Sequence, residues 1–248
     1  MPTTNRYPEI DLLRTLAVFM MLVFHFALDL EFFFGWAGIG VLSGGWWLLG
    51  RATAIIFLLL VGVSFMISWD RTVKAHPEKT FWQVYPKYLR RGLFVIGCGM
   101  VVTVVTYWNM GQNGYIRFGV LHLIGTSIIL LPFFVRFREP NAAIAIVFYI
   151  LGKWVRTKLL ATSLFLPLGF RYPGFASLDY YPLIPWLGMI LLGLAIGSFF
   201  YVRHTEWRNT LTTFHLPLST ALTWPGRHAL WIYLLHQPIF LGLLQVVL

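Results

Sequence analysis

The chain has 248 residues, of which 58% are hydrophobic and 11% charged, with a mean hydropathy of +0.72. That balance excludes an ordinary soluble domain and points to a polytopic membrane protein. The net charge of +10 does not point to nucleic acid, because most of the basic residues sit in short loops beside apolar runs, where topology and anionic lipid account for them.

Seven apolar runs read as membrane spans, at 10–30, 51–69, 89–108, 118–137, 142–154, 182–202 and 227–247. The fifth is the weakest, since its apolar run breaks at Lys153 and resumes at Leu159. The expected fold is therefore all-α, a transmembrane bundle forming one domain over 1–248. No repeat, low-complexity tract or glycine-rich phosphate loop interrupts it. With the N-terminus inside, 13 of the 19 Lys and Arg fall on the inner side, so the positive-inside rule favours an N-in, C-out arrangement. The single Cys98 excludes an intrachain disulfide and argues against a cysteine zinc site, and no metal is expected.

The first span carries Asp11, Arg14, His25 and Asp29 within EIDLLRTLAVFMMLVFHFALDLE. A charged side chain at the centre of a spanning helix costs roughly 2.5 to 3.5 kcal/mol on insertion scales, so such residues face a protein interior, a wet cavity or a partner. Arg14 and His25 return to nearly the same helix face, roughly 16 Å apart along the axis. Asp11 is spaced to pair with Arg14. Asp29, four residues after His25, is spaced to orient the imidazole of a general base. The plainer reading is charge snorkelling at both ends of the helix, with His25 as a packing residue.

Along the chain, the loop at 70–88 and the basic residues just after it suit anionic headgroups or a phosphorylated donor. Residues 31–50 are rich in aromatics and glycine, and read either as an interfacial belt or as a lid over a sugar ring. Arg117 and His122 open the fourth span. Asp179 precedes the sixth, where Pro182 and Pro185 break the local helix and Gly193 and Gly197 form a ridge for close helix contact. The last span begins at Gly226-Arg227-His228, with His236 near mid-membrane and Pro238 just beyond. His122, taken alone, reads equally as a packing residue or as a catalytic partner, a substrate hydrogen bond or a heme ligand.

The pattern Asp11-x-x-Arg14 with His25, then Phe118-Gly-Val-Leu-His122-Leu-Ile-Gly125, then Asp179-Tyr-Tyr-Pro182-Leu-Ile-Pro185-Trp186-Leu-Gly188, then Gly226-Arg227-His228 with Tyr233 and His236-Gln-Pro238, resembles the heparan-alpha-glucosaminide N-acetyltransferase catalytic-domain family. The resemblance covers nearly the whole chain. It implies acyl transfer from cytosolic acetyl-CoA or another acyl-CoA to an amine or hydroxyl of a glycan on the far side of the membrane. In the animal enzyme a histidine in the outer segment after the first span is linked to catalysis. Residues 31–50 contain none, which leaves His25 as the candidate base.

On this reading His25, Asp29 and His122 are catalytic. Arg51, Arg117, Asp179 and His236 meet the glycan, while Arg14, Arg90, Arg91, Arg136, Arg138 and Arg227 meet the phosphates of the donor. Membrane lipids, a membrane-protein partner or a second copy are the expected partners, and the bacterial cytoplasmic membrane is the expected location. Two other classes stand beside it: a b-heme subunit ligated by His25, His122 and His236, and a non-catalytic accessory subunit of a larger membrane complex.

Overall fold

The computed structural model describes residues 7–36, 38–204, 206 and 220–247. Arg6 and Arg208, both assigned to the inner basic set, lie outside them. The described chain is helical, with two isolated bridges and no strand. Its helices are α1 (Pro8–Phe32), α2 (Gly44–Ala75), α3 (Phe81–Met110), α4 (Val120–Leu130), α5 (Asn141–Arg156), α6 (Leu183–Gly197), α7 (Thr220–Arg227) and α8 (Ala229–Val247).

Among the described residues five helical stretches are long and apolar enough to cross a membrane: Pro8–Phe32, Gly44–Ala75, Phe81–Met110, Leu183–Arg203 and Ala229–Val247. The sixth span of the sequence is thus α6 with its π-helical continuation Ser198–Arg203. The expected fourth span is shorter than its apolar run. Pro132 supplies no main-chain N–H, and α4 gives way at Leu131 to 3-10 turns. The fifth, α5, has 16 residues, about 24 Å of helix against a hydrocarbon core of about 30 Å. The last apolar run is also divided, with the break at His228 between α7 and α8.

Sequence features account for the helix starts. Pro8 opens α1 where its missing N–H costs nothing, and Glu9 and Asp11 in the first turn suit the positive helix end. Thr80 and Gln83 form a reciprocal capping box at the start of α3. Large apolar side chains such as Phe94, Val101, Ile146 and Ile150 point outward from α3 and α5, a surface suited to lipid rather than water.

The chain divides into two compact units, Met1–Phe57 with Asn209–Leu248, and Leu58–Arg208. In the first, α1 packs against α7 and α8. In the second, α6 is the centre: Ile190, Leu191 and Leu194 are fully buried, and α4, α5 and the second part of α2 surround it. A Cβ on Gly193 would collide with the Leu59 carbonyl, and one on Gly62 with the Ile190 carbonyl, so these glycines permit a backbone-to-backbone crossing of α2 and α6. That matches the ridge expected of Gly193 and Gly197.

Candidate active site

In the first unit two polar clusters lie along α1. At its start the Asp11 carboxylate, 6% exposed, accepts from Arg14 Nη1 at 2.8 Å and from Arg227 Nε at 3.3 Å. The Thr15 hydroxyl donates to the Asp11 carbonyl and accepts from the Gly226 N–H at 3.0 Å. A Cβ on Gly226 would overlap that same carbonyl oxygen, so only glycine lets α7 approach this closely. The first and last motifs are therefore one structural element.

The second cluster lies roughly 21 Å further along α1 by helical rise. His25 and His236 meet edge to face, with ring centroids 4.9 Å apart and planes at 78°. His25 Nδ1 lies 2.9 Å from the Met21 carbonyl, and His236 Nδ1 lies 2.7 Å from the Tyr233 carbonyl. A carbonyl can only accept, so each Nδ1 carries the proton and each Nε2 presents a lone pair. His236 is 5% exposed, and its Nε2 has no hydrogen-bond partner.

Asp29 is fully buried nearby in sequence, with neither carboxylate oxygen in hydrogen-bonding geometry with a donor. The Gln237 side chain is the polar group that faces it. Asp29 is thus not what holds the His25 ring, although its spacing permits that. The main chain at Met21 does so instead. In the sequence Gln237 is marked only by its place beside His236. Arg51 stacks over the Trp47 ring at 5.6 Å in the same unit.

The second unit joins the two middle motifs. Asp179 Oδ2 accepts from the Val120 N–H at 2.9 Å, and the Tyr181 N–H donates to the Phe118 carbonyl at 3.0 Å. His122 Nδ1 accepts from the Gly119 N–H at 3.3 Å, and its Nε2 lies 3.5 Å from Thr103 Oγ1. Asp179 and His122 therefore hold the N-terminus of α4, where free N–H groups need acceptors.

The Arg117 guanidinium sits over Tyr115, Tyr172 and Phe175 at 4.6 to 5.5 Å and donates to the Gln112 carbonyl. Tyr180 donates its hydroxyl to the Leu166 carbonyl, and burial pushes its pKa up to about 12, against the opposing influence of Arg171, so it remains a neutral donor. Arg90, Arg91, Arg136 and Arg138 are exposed residues of this unit, whereas Arg14 and Arg227 belong to the first. Among the described residues no group of three or more His, Cys, Asp or Glu gathers at one point. The contact between His25 and His236 also leaves no space for a macrocycle between the two rings.

Residues 6–238 match the family described as heparan-alpha-glucosaminide N-acetyltransferase, catalytic. The chain belongs to that family. The heparan-alpha-glucosaminide N-acetyltransferase match takes in all four motifs and parts of both compact units, so the Asp11–Arg227 docking and the histidine pair both lie inside the matched region of a membrane acetyltransferase family. No curated protein and no solved structure matches the chain.

Proposed function

We propose that the chain is an integral-membrane acyltransferase that moves an acetyl group from acetyl-CoA to an amine or hydroxyl of a glycan on the far side of the membrane. The observation that carries this is the His25–His236 pair, two imidazoles inside membrane helices whose tautomers are fixed by main-chain carbonyls with Nε2 left as a base. Fixing the tautomer is what a general base requires, because it places the lone pair before the substrate arrives.

His25, the less buried of the two, takes the proton of the attacking amine or hydroxyl at Nε2. The thioester supplies the acyl group and a thiolate leaving group, and the proton held on His25 goes to that thiolate. His236 Nε2 accepts a hydrogen bond from the acceptor and orients it. At the other end of α1, Arg14 and Arg227 share one carboxylate and so keep a net positive charge for the donor phosphates, with Arg90, Arg91, Arg136 and Arg138 as further basic candidates. Their fit rests on donor chemistry, since guanidinium matches phosphate oxygens in pairs.

A seven-span, N-in and C-out arrangement as a single domain, in the bacterial cytoplasmic membrane, belongs to the same proposal. Arg51, Arg117 and Asp179 act in it by shaping the glycan side, Arg117 and Asp179 through the fold they hold.

The test is transfer from labelled acetyl-CoA to glycan acceptors by the purified protein in vesicles, alongside His25→Ala. Loss of transfer in the variant is expected. Undiminished transfer would remove His25 from the chemistry, and no transfer by the intact protein would favour an accessory role.

A further inference from the structure

The first unit carries a groove of about 490 Å³ that the mechanism above does not use. Leu22, Phe26 and Leu30 of α1 form one wall, Trp36 and Trp46 close one end, and Phe240 of α8 forms the other wall. Apart from two indole N–H groups its lining is wholly apolar. α1 and α8 are both membrane spans, so the groove opens toward hydrocarbon rather than water.

Its position matters more than its polarity. Phe240, which lines the groove, packs against Phe26 at 5.5 Å and against His236 at 6.0 Å. His236 in turn touches His25. The groove therefore adjoins the histidine pair through one shared side chain, Phe240. A chain lying in it would bring its own head group to the same end of α1 as the two bases, with Trp36 and Trp46 at the rim, where amphipathic rings suit the boundary between lipid and polar groups. The loop carrying Trp36 is itself held in shape: Glu31 accepts from the Val41 N–H at 2.8 Å, and Gly35, Gly38 and Gly40 take left-handed φ values that other residues resist.

We infer that this groove seats the hydrocarbon chain of a lipid-linked glycan, so that the acceptor reaches the histidine pair as the head group of a lipid and not as a free saccharide. The inference rests on the acyltransferase reading and names its substrate class. Removing each methylene from water is favourable, but that gain is available to any chain entering the bilayer, so membrane partition alone would also favour a lipidated acceptor. The test must separate the groove from the bilayer.

Proteoliposomes would be supplied with acetyl-CoA and either dodecyl or methyl β-glucosaminide, for the intact protein and for Leu30→Trp, which fills the groove. The expected result is that the ratio of kcat/KM for the dodecyl over the methyl glycoside falls about tenfold in Leu30→Trp. A ratio that the substitution leaves unmoved assigns the preference to partition and overturns the inference, as does equal use of both glycosides by the intact protein.

A second measurement does not depend on turnover or on the folding of a variant. Dodecyl β-glucosaminide with a diazirine at the chain end should label residues of 22–30 or the peptide carrying Phe240, and unlabelled dodecyl β-glucosaminide should compete. Labelling elsewhere, or labelling displaced equally well by ordinary phospholipid, overturns the inference. Transfer to neither glycoside together with competed labelling of the groove would instead sink the acyltransferase reading and leave a lipid site.

Discussion

His25 and His236, 211 positions apart in the chain, meet edge to face with each Nδ1 tied to a main-chain carbonyl and each Nε2 left as an acceptor. Replacing His25 by Ala should lower acetyl transfer by about a hundredfold to ten-thousandfold, the usual contribution of a positioned general base. His236→Ala should weaken use of the acceptor more than that of the donor. The two losses should add to less than their sum in the double variant, since the rings act on one acceptor. Steady-state transfer from labelled acetyl-CoA checks all three, and full additivity would separate the two histidines.

The fold was legible in the sequence where physics is local. Membrane-length apolar runs gave the long helices, and the expense of intramembrane charge singled out α1. Arithmetic along one helix also found the Asp11–Arg14 pair. It could not choose between Asp29 and Met21 as the partner of His25, since a residue four positions after and a carbonyl four positions before are equally reachable. Nor could it place His236 against His25 or Arg227 against Asp11, because the packing of α7 and α8 on α1 is not set by spacing along one helix. His122 as a catalytic group and Asp179 as a glycan contact rest on a related signal, a polar residue conspicuous in an apolar sequence, and the N-terminus of α4 calls for the same residue types, with His122 accepting from the Gly119 N–H and Asp179 from the Val120 N–H.

The capping role of Asp179 makes a graded prediction. Asp179→Ala removes the acceptor for the Val120 N–H and should destabilise the protein by about 1 to 2 kcal/mol. Asp179→Asn keeps an acceptor oxygen and loses only the charge at the helix end, about 0.3 to 1 kcal/mol. Thermal unfolding in detergent should rank the chain above Asn and Asn above Ala. Equal loss in both variants would mean that the charge serves something other than the cap.

The docking of α7 on α1 can be tested from both sides. Asp11→Ala leaves Arg14 and Arg227 facing each other without the carboxylate. Complete burial of such a pair would make this cost about 3 to 5 kcal/mol. Arg14 and Arg227 remain 27% and 32% exposed, so solvent screening should reduce it to about 1 to 3 kcal/mol. Gly226→Ala drives a methyl into the Asp11 carbonyl and should cost about 1 to 3 kcal/mol through overpacking. Because the two substitutions release the same contact, the double variant should lose little more than the worse single one, as read by unfolding midpoints.

Glu139 gives the pH dependence a sign. Its carboxylate lies before α5 and accepts from Ser198 Oγ at 2.9 Å and Arg203 Nη1 at 3.0 Å. Burial by itself would raise its pKa, but hydrogen bonds from its own main-chain N–H, from Ser198 and from Arg203, with the Arg203 charge, outweigh that and hold it below the ordinary value of 4.5. A carboxyl group whose folded pKa is depressed contributes stability that is fully present above its unfolded pKa and is lost as the pH falls through the folded one. The clamp between the α5 start and the end of the Ser198–Arg203 helix should therefore be intact at neutral pH and loosen only below about pH 4.5. Glu139→Gln keeps a hydrogen-bond acceptor for Ser198 but removes the titrating charge. Unfolding midpoints measured from pH 7 to pH 3 should fall less steeply for Glu139→Gln than for the intact chain at the acid end, and the two curves should run parallel above pH 5. Identical slopes at the acid end would show that Arg203 and Glu139 do not hold this corner together in the membrane-embedded protein.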